Sequence, residues 1–154
     1  MAEQFIQSLN NNPNIIPFKF DRSQVKPGVC HIGVGNFHRA HLEYYTSLLL
    51  DKDPSQKNWG ICGLMLLPFD ERLYNALSAQ NGCYSVRVCA RADGKDETYA
   101  IGGLVELIYG VKDPQGVINK LADESIKVLT MTITEGGYNM DKKTGEFDLN
   151  EPKV

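Results

Sequence analysis

The residues best suited to chemistry lie in one short segment, His31 to His41, which holds two glycines and all three histidines of the chain. An apolar run, about Val29 to Val34, leads into Gly33 and Gly35, and helical spacing of apolar residues begins at Phe37. Glycines at a strand-to-helix turn let the backbone approach a dinucleotide pyrophosphate, whose negative charge the helix N-terminus favours. The pattern leaves two interpretations open: a nucleotide-binding turn and a purely structural turn.

Two further features of a dinucleotide fingerprint are present in altered form. His38 stands where the third glycine is expected, and we expect Ala40 to provide the close packing between helix and strand. Asp70 follows the second apolar run and is the candidate acid for the adenosine ribose. It lies 35 residues after Gly35, whereas a spacing of ~20 is usual.

The histidines and the arginine of the segment each have an alternative role. His31, His38 and His41 have a spacing that a metal site could use, but no further ligands in a recognisable pattern follow, so no metal is predicted. His38 is expected to contact a phosphate or to pack in the core. Arg39 is either a phosphate ligand or a surface residue.

Composition limits the classes of partner. The net charge of −3 and the pI of about 5.6 argue against nucleic acid or an anionic membrane as the partner. Residues 1–7 lack the layout of a signal peptide, and no apolar run reaches the ~20 residues that a membrane span needs. The four cysteines form no C-x-x-C pair and are expected to be mostly buried free thiols. A cytoplasmic location is therefore expected.

The order of predicted elements indicates an α/β fold. Residues 1–28 are expected to form a polar arm, with Phe18 and Phe20 in an edge strand or a packed segment. The elements predicted after this arm are strand 29–34, helix 37–50, strand 59–67, helix 71–80, a hairpin of strands 83–91 and 97–106 with a turn at 93–94, helix 114–122, buried strand 126–133 and a glycine-rich exit at 134–138.

This order predicts a partial Rossmann-like parallel sheet with flanking helices and an inserted antiparallel hairpin. Three parallel strands are expected, whereas a complete dinucleotide fold has about six. Residues 29–154 are accordingly interpreted as an incomplete nucleotide-binding domain.

Three strings of residues are far more specific than the two glycines alone. Together, His31–His41, Trp59–Gly63 and Thr132–Tyr138 resemble, in this order, landmarks of the polyol-specific long-chain dehydrogenases. The resemblance spans about Val29 to Phe147. It implies NAD as the cofactor and hydride transfer between a sugar alcohol, such as mannitol, and its ketose.

The resemblance also implies the site residues. Asp70 would hold the adenosine ribose and disfavour the additional phosphate of NADP. The other cofactor-binding residues would be Ile32, Gly33, Val34, Gly35, Asn36, Phe37, His38, Arg39 and Ala40. Of these, Gly33, Gly35 and the turn from Asn36 to Ala40 would carry the pyrophosphate. The family's catalytic residues lie in a C-terminal domain with no counterpart here, so no catalytic residue is assigned and this chain alone is expected not to turn over substrate.

Two alternative functions stay open at this stage. The first is a non-catalytic module that binds a nucleotide or a protein partner. The second, which the specific strings disfavour, is a methyltransferase that uses a similar glycine turn. The oligomeric state, the identity of the polyol or uronate, and the preference for NAD beyond Asp70 are not determined by the sequence.

Overall fold

The computed structural model describes residues 2–90, 94–133, 135–138, 140–141, 143–147 and 149. The helices are α1 (Ala2–Asn10), α2 (Asn36–Ala40), α3 (Leu42–Lys52), α4 (Glu71–Ala79) and α5 (Pro114–Leu121). The strands are β1 (Pro27–Ile32), β2 (Gly60–Met65), β3 (Tyr84–Val88), β4 (Glu97–Ile101), β5 (Leu104–Tyr109) and β6 (Val128–Met131). Within the described residues, no helix combines the length and apolar character needed to cross a membrane. Asp93 and Thr134, which belong to the predicted hairpin turn and glycine-rich exit, lie outside the described residues.

Four parallel strands form the central sheet in the order β5-β2-β1-β6. Helices cover both faces: Leu77 of α4 packs in the cluster with Val29, and Val117 of α5 packs in the cluster with Cys30. The chain builds the sheet outwards from β1 through β2 to β5 and then places β6 on the other side of β1. The predicted α/β class, with a partial Rossmann-like sheet, is confirmed.

The prediction of three parallel strands is wrong because the segment predicted as strand 97–106 belongs to two sheets. β4 pairs antiparallel with β3, whereas β5 pairs parallel with β2. The chain changes sheets at Gly102 and Gly103, whose amides both donate to Ser47 Oγ, at 3.2 and 3.0 Å. A Cβ at Gly102 would lie 2.8 Å from the Phe18 ring, so the bend requires a residue without a side chain.

The helix predicted over 37–50 is two helices, because the backbone breaks at His41 (φ −123°, ψ −84°). The apolar spacing identifies the residues that face the core, but it does not show whether the backbone is continuous. The break lets His38 of α2 meet Glu43 at the start of α3, with 3.1 Å between Nε2 and Oε1.

The N-terminal arm contains a helix that the sequence analysis did not predict. α1 packs through Leu9 against a cluster that includes the buried Phe18, and Phe18 stacks on Phe20 with ring centroids 5.0 Å apart. Ile16 forms an isolated parallel bridge with Tyr99 of β4. Polar residues dominate this segment, which masks the apolar spacing of Phe5, Ile6 and Leu9.

β6 was predicted to be buried, and this prediction is wrong. Val128, Leu129 and Met131 are 38%, 48% and 52% exposed. Among the described residues β6 has a single paired neighbour, β1, and so lies at the edge of the sheet. Its apolar composition is typical of a strand with neighbours on both sides.

Candidate functional site

The turn after β1 lies at the carboxyl edge of the sheet, between β2 and β6. Gly33 has φ +92°, a conformation that glycine adopts readily, and its amide donates to Leu64 O at 3.0 Å. The space around Gly35 is open, since a Cβ placed there would meet nothing within 4 Å. In open α/β sheets a ligand binds where the strand order changes direction, which here is between β1 and β6. This space is called the β1–β6 crevice below.

The Arg39 side chain stabilises the turn after β1 through two hydrogen bonds. Its guanidinium donates to Val34 O and to Asn36 Oδ1, both at 2.6 Å. The Arg39 side chain is therefore part of the wall of the turn, while Asn36 and Phe37 are exposed at the start of α2. Gly35 is the N-cap residue, and no described side chain caps α2, so the first amides of this short helix have no side-chain partner.

The close packing expected from Ala40 is provided elsewhere, because Ala40 is exposed. Val34 is buried, and a Cβ on Gly63 of β2 would lie 2.6 Å from Val34 Cγ2. The small residue that allows the turn to pack closely on the sheet is therefore Gly63. Ile32, the last residue of β1, packs on the opposite face against the cluster that contains Cys30.

Asp70 lies in the turn after β2, at the same edge of the sheet as Gly33. Its Oδ2 accepts a hydrogen bond from the Leu67 amide at 3.1 Å, which fixes the carboxylate on its own turn. The neighbouring Phe69 is 77% exposed. The turn therefore presents a held carboxylate and a large apolar surface next to each other.

Two histidines are stacked beneath the glycine turn. The rings of His31 and His38 lie 3.5 Å apart, with 8° between their planes, and both side chains are buried. Burial lowers the pKa of His31 to about 4, and proximity to His38 contributes. Burial also lowers the pKa of His38 to about 4, with a smaller contribution from Arg39. Both rings are neutral at pH 7.

Glu43 is fully buried beside His38. Burial raises the pKa of its carboxyl well above the ordinary range, although the positive charge of Arg22 opposes this effect. A protonated Glu43 that donates to His38 Nε2 keeps the pair free of charge. Glu43 Oε2 and His38 Nδ1 have no hydrogen-bond partner among the described residues.

The structure does not bring the three histidines together around one point. His41 is exposed and stacks on Phe37 with ring centroids 5.1 Å apart, away from the buried pair. Of the cysteines, Cys30, Cys62 and Cys83 are buried free thiols, whereas Cys89 is exposed.

Three polar residues of this site were missed from sequence. Glu43 is an acid on the buried side of α3. Thr130 of β6 and Thr132, which directly follows the strand, are two residues apart and both reach His31. The period-two spacing of the two threonines is a signal that was available, since it predicts that they share one face of the strand.

The comparisons with known proteins agree with this architecture. Residues 27–152 match the family model described as the mannitol dehydrogenase Rossmann domain. The chain belongs to the mannitol dehydrogenase family. The resemblance found in the sequence strings is thereby confirmed, and within the family the chain corresponds to the Rossmann domain.

Two curated relatives illustrate the similarity. The chain is 36% identical over 156 residues to a polyol:NADP oxidoreductase of Gluconobacter oxydans, covering 100% of this chain and 31% of that protein. It is 34% identical over 148 residues to a mannitol 2-dehydrogenase of Phaeosphaeria nodorum, covering 96% of this chain and 26% of that protein. The chain therefore spans about a third or less of the relatives that it matches.

Solved structures show the same fold. A Pseudomonas fluorescens mannitol 2-dehydrogenase, in a ternary complex with NAD and D-mannitol, matches with a TM-score of 0.82 and 33% identity over 92% of this chain and 28% of that one. A D-sorbitol dehydrogenase in substrate-free form matches with a TM-score of 0.80 and 34% identity, over 95% and 30% of the two chains.

Proposed function

We propose that residues 29–154 bind NAD in the β1–β6 crevice and that the whole protein is an NAD-dependent dehydrogenase. Its reaction would interconvert a sugar alcohol, of the mannitol type, and the corresponding ketose. The observation that carries the proposal is the open space at Gly35, next to a positive-φ glycine, at the point where the sheet changes direction. Membership of the mannitol dehydrogenase family supports the same ligand.

The residues of the turn fit the parts of a dinucleotide. Backbone amides from Asn36 to His38 would hold the pyrophosphate, because the Gly35 amide already donates to Gly33 O at 2.8 Å. Arg39 keeps the turn in shape through Val34 O. Asp70 would accept hydrogen bonds from the adenosine ribose. NAD, when bound, would accept a hydride in one direction of the reaction, and NADH would donate one in the other. The residues of this chain would bind and orient the cofactor.

The preference for NAD over NADP rests on Asp70. A carboxylate at the ribose repels an additional phosphate and so disfavours NADP. One relative is named as an NADP enzyme, so the preference varies among proteins similar to this one and needs its own test.

The catalytic base is proposed to lie in the part of the relatives that this chain does not match. That proposal is supported by the share of each relative that the chain covers, 31% and 26%. We further propose a cytoplasmic location, because a reducing compartment is compatible with the free thiols of the described cysteines.

The decisive experiment is calorimetric titration of the purified chain with NADH and, separately, NADPH. We expect NADH to bind more tightly, and Asp70→Ala to weaken NADH binding by roughly ten-fold or more, because a hydrogen bond to a charged group is lost. The matched control is Glu71→Gln, which changes the adjacent carboxylate, paired with Lys112, and should leave binding unchanged. Binding of S-adenosylmethionine instead of NADH would contradict the proposal.

A further inference from the structure

His31 connects the two strand ends that border the β1–β6 crevice. Its Nδ1 lies 2.8 Å from Thr130 Oγ1, and its Nε2 lies 2.9 Å from Thr132 Oγ1 and 3.2 Å from Gly33 O. Thr130 and Thr132 belong to β6 and its exit, whereas Gly33 belongs to the turn after β1. One imidazole thus joins both sides of the opening.

The partners of His31 fix how its proton is placed. Gly33 O can only accept, so Nε2 carries the hydrogen and donates. Nδ1 then accepts from the Thr130 hydroxyl at 2.8 Å, a shorter contact than the 3.4 Å between Thr130 Oγ1 and Cys30 O. The neutral ring therefore has both nitrogens engaged. The Thr132 amide also donates to Ile32 O at 3.1 Å, which extends the β1–β6 ladder to the edge of the crevice.

His38 and Glu43 restrict the His31 ring from the buried side. The His38 ring covers one face of His31 at 3.5 Å, and Glu43 anchors His38 through its Nε2. A buried ring that is stacked on one side and hydrogen-bonded at both nitrogens has little freedom to rotate. The approach of the two strand ends is correspondingly close, since a Cβ on Gly33 would lie 3.2 Å from Thr132 O.

We propose that His31 is a positioning residue that sets the width of the β1–β6 crevice by tying the Gly33 turn to Thr130 and Thr132. It acts on the cofactor through the backbone of the turn. This inference rests on the proposed function for its effect on NAD, whereas the tie between the strand ends can be measured without any cofactor.

The test uses three variants. His31→Phe keeps an aromatic ring against His38 but removes all three hydrogen-bond contacts, to Thr130, Thr132 and Gly33. The amide of His31→Gln can still donate to Gly33 O. Thr132→Val removes only the hydroxyl at the crevice edge and keeps the side-chain shape. Thr98→Val, on β4 and away from the crevice, is the matched control.

The first measurement is amide hydrogen exchange without cofactor. We expect His31→Phe to speed exchange of the Thr132 amide by roughly ten-fold. The Gly110 amide, bonded to Met65 O on the far side of the sheet, should keep its wild-type rate. His31→Gln should restore part of the protection. Unchanged exchange at Thr132 in both His31→Phe and Thr132→Val would overturn the inference. If His31→Phe does not fold, Thr132→Val decides the question.

The second measurement is the dissociation constant for NADH. We expect a rise of roughly ten-fold in His31→Phe, partial recovery in His31→Gln, and less than additive effects when His31→Phe and Thr132→Val are combined. Faster exchange with an unchanged dissociation constant would overturn the positioning role. If the wild-type chain binds no NADH, the proposed function fails, and the exchange result alone then decides whether His31 ties the crevice.

Discussion

The imidazole rings of His31 and His38 lie face to face, 3.5 Å apart and 8° from parallel, in the buried layer beneath the glycine turn. Two neutral rings can stack in this way, but two charged rings at this distance repel each other strongly. The stability of the packing beneath the turn therefore depends on proton binding to these rings. Protonation of the neighbouring Glu43 has the opposite effect, because the native chain favours its protonated form.

Acidification is expected to destabilise the fold. Both histidine pKa values are about 4 in the native chain, below the ordinary 6.5. Between pH 4 and 6.5 the unfolded chain therefore binds more protons at these rings, and the free energy of unfolding falls as pH is lowered. Glu43 is protonated in the native chain and ionises in the unfolded chain, which offsets the additional proton of one of the two histidines. The free energy of unfolding should therefore change by about 1.4 kcal/mol per pH unit near pH 5. Urea unfolding at a series of pH values between 4 and 6.5 measures this change in the free energy of unfolding. A free energy that does not change with pH would contradict neutral stacked rings.

Glu43→Gln is expected to remove the loss of stability on the alkaline side. The pKa of Glu43 is raised above its ordinary 4.5 in the native chain, so its contribution is full below pH 4.5 and is lost as pH rises towards the native pKa. Between pH 7 and 8, where the histidines no longer contribute, wild-type stability should fall as pH rises. Glutamine does not ionise, so the variant should show a plateau between pH 7 and 8. At higher pH the thiols of Cys30, Cys62 and Cys83, whose pKa values burial raises in the native chain, ionise in the unfolded chain and lower the stability of both proteins.

The control for this prediction is Glu124→Gln, a change to an exposed acid outside the cluster. It should follow the wild-type profile. A wild-type stability that stays flat between pH 7 and 8 would show that the native carboxyl is already ionised and that the assignment of the proton is wrong.

Alanine substitutions at Gly33 and Gly35 should have different effects, the first on stability and the second on NADH binding. Gly33→Ala forces a side chain to φ +92° and places its Cβ 3.2 Å from Thr132 O, which should cost about 1–2 kcal/mol of stability. Gly35→Ala meets no atom within 4 Å and has φ −77°, so the fold should be as stable as the wild type. Its methyl group occupies the space proposed for the pyrophosphate, and NADH affinity should fall by roughly ten-fold or more. Wild-type affinity in Gly35→Ala would place the ligand elsewhere.

Ser47→Ala is expected to destabilise the point where the chain changes sheets. Ser47 Oγ is the acceptor for the amides of Gly102 and Gly103, both buried. Its loss leaves two buried donors unpaired, which should cost about 2 kcal/mol in chemical denaturation. Ser78→Ala, at an exposed position of α4, should change stability by less than about 0.5 kcal/mol. Equal stability of the two variants would show that water replaces the hydroxyl.

Most of the elements could be predicted from local patterns. Apolar runs and helical spacing predicted β1, β2, α4 and α5, because these signals depend on near neighbours. The cap at the start of α5, where the Asp113 side chain accepts from the Gly116 amide and Pro114 follows, is equally local. The division of 97–106 could not be predicted in this way. Both halves have strand-like composition, and only the packing of Phe18 and Ser47 against Gly102 and Gly103 separates them.

The sequence by itself determined the α/β class, the position of the glycine turn, the location of Asp70 after β2 and membership of a dehydrogenase family. Tertiary structure decided which polar groups surround the turn. His31 meets Thr130 and Thr132 across 99 and 101 residues of chain, and His38 changes from a candidate phosphate ligand to a buried partner of Glu43. Such contacts depend on which strand lies beside β1, and strand order arises from the packing of the whole sheet rather than from any local pattern.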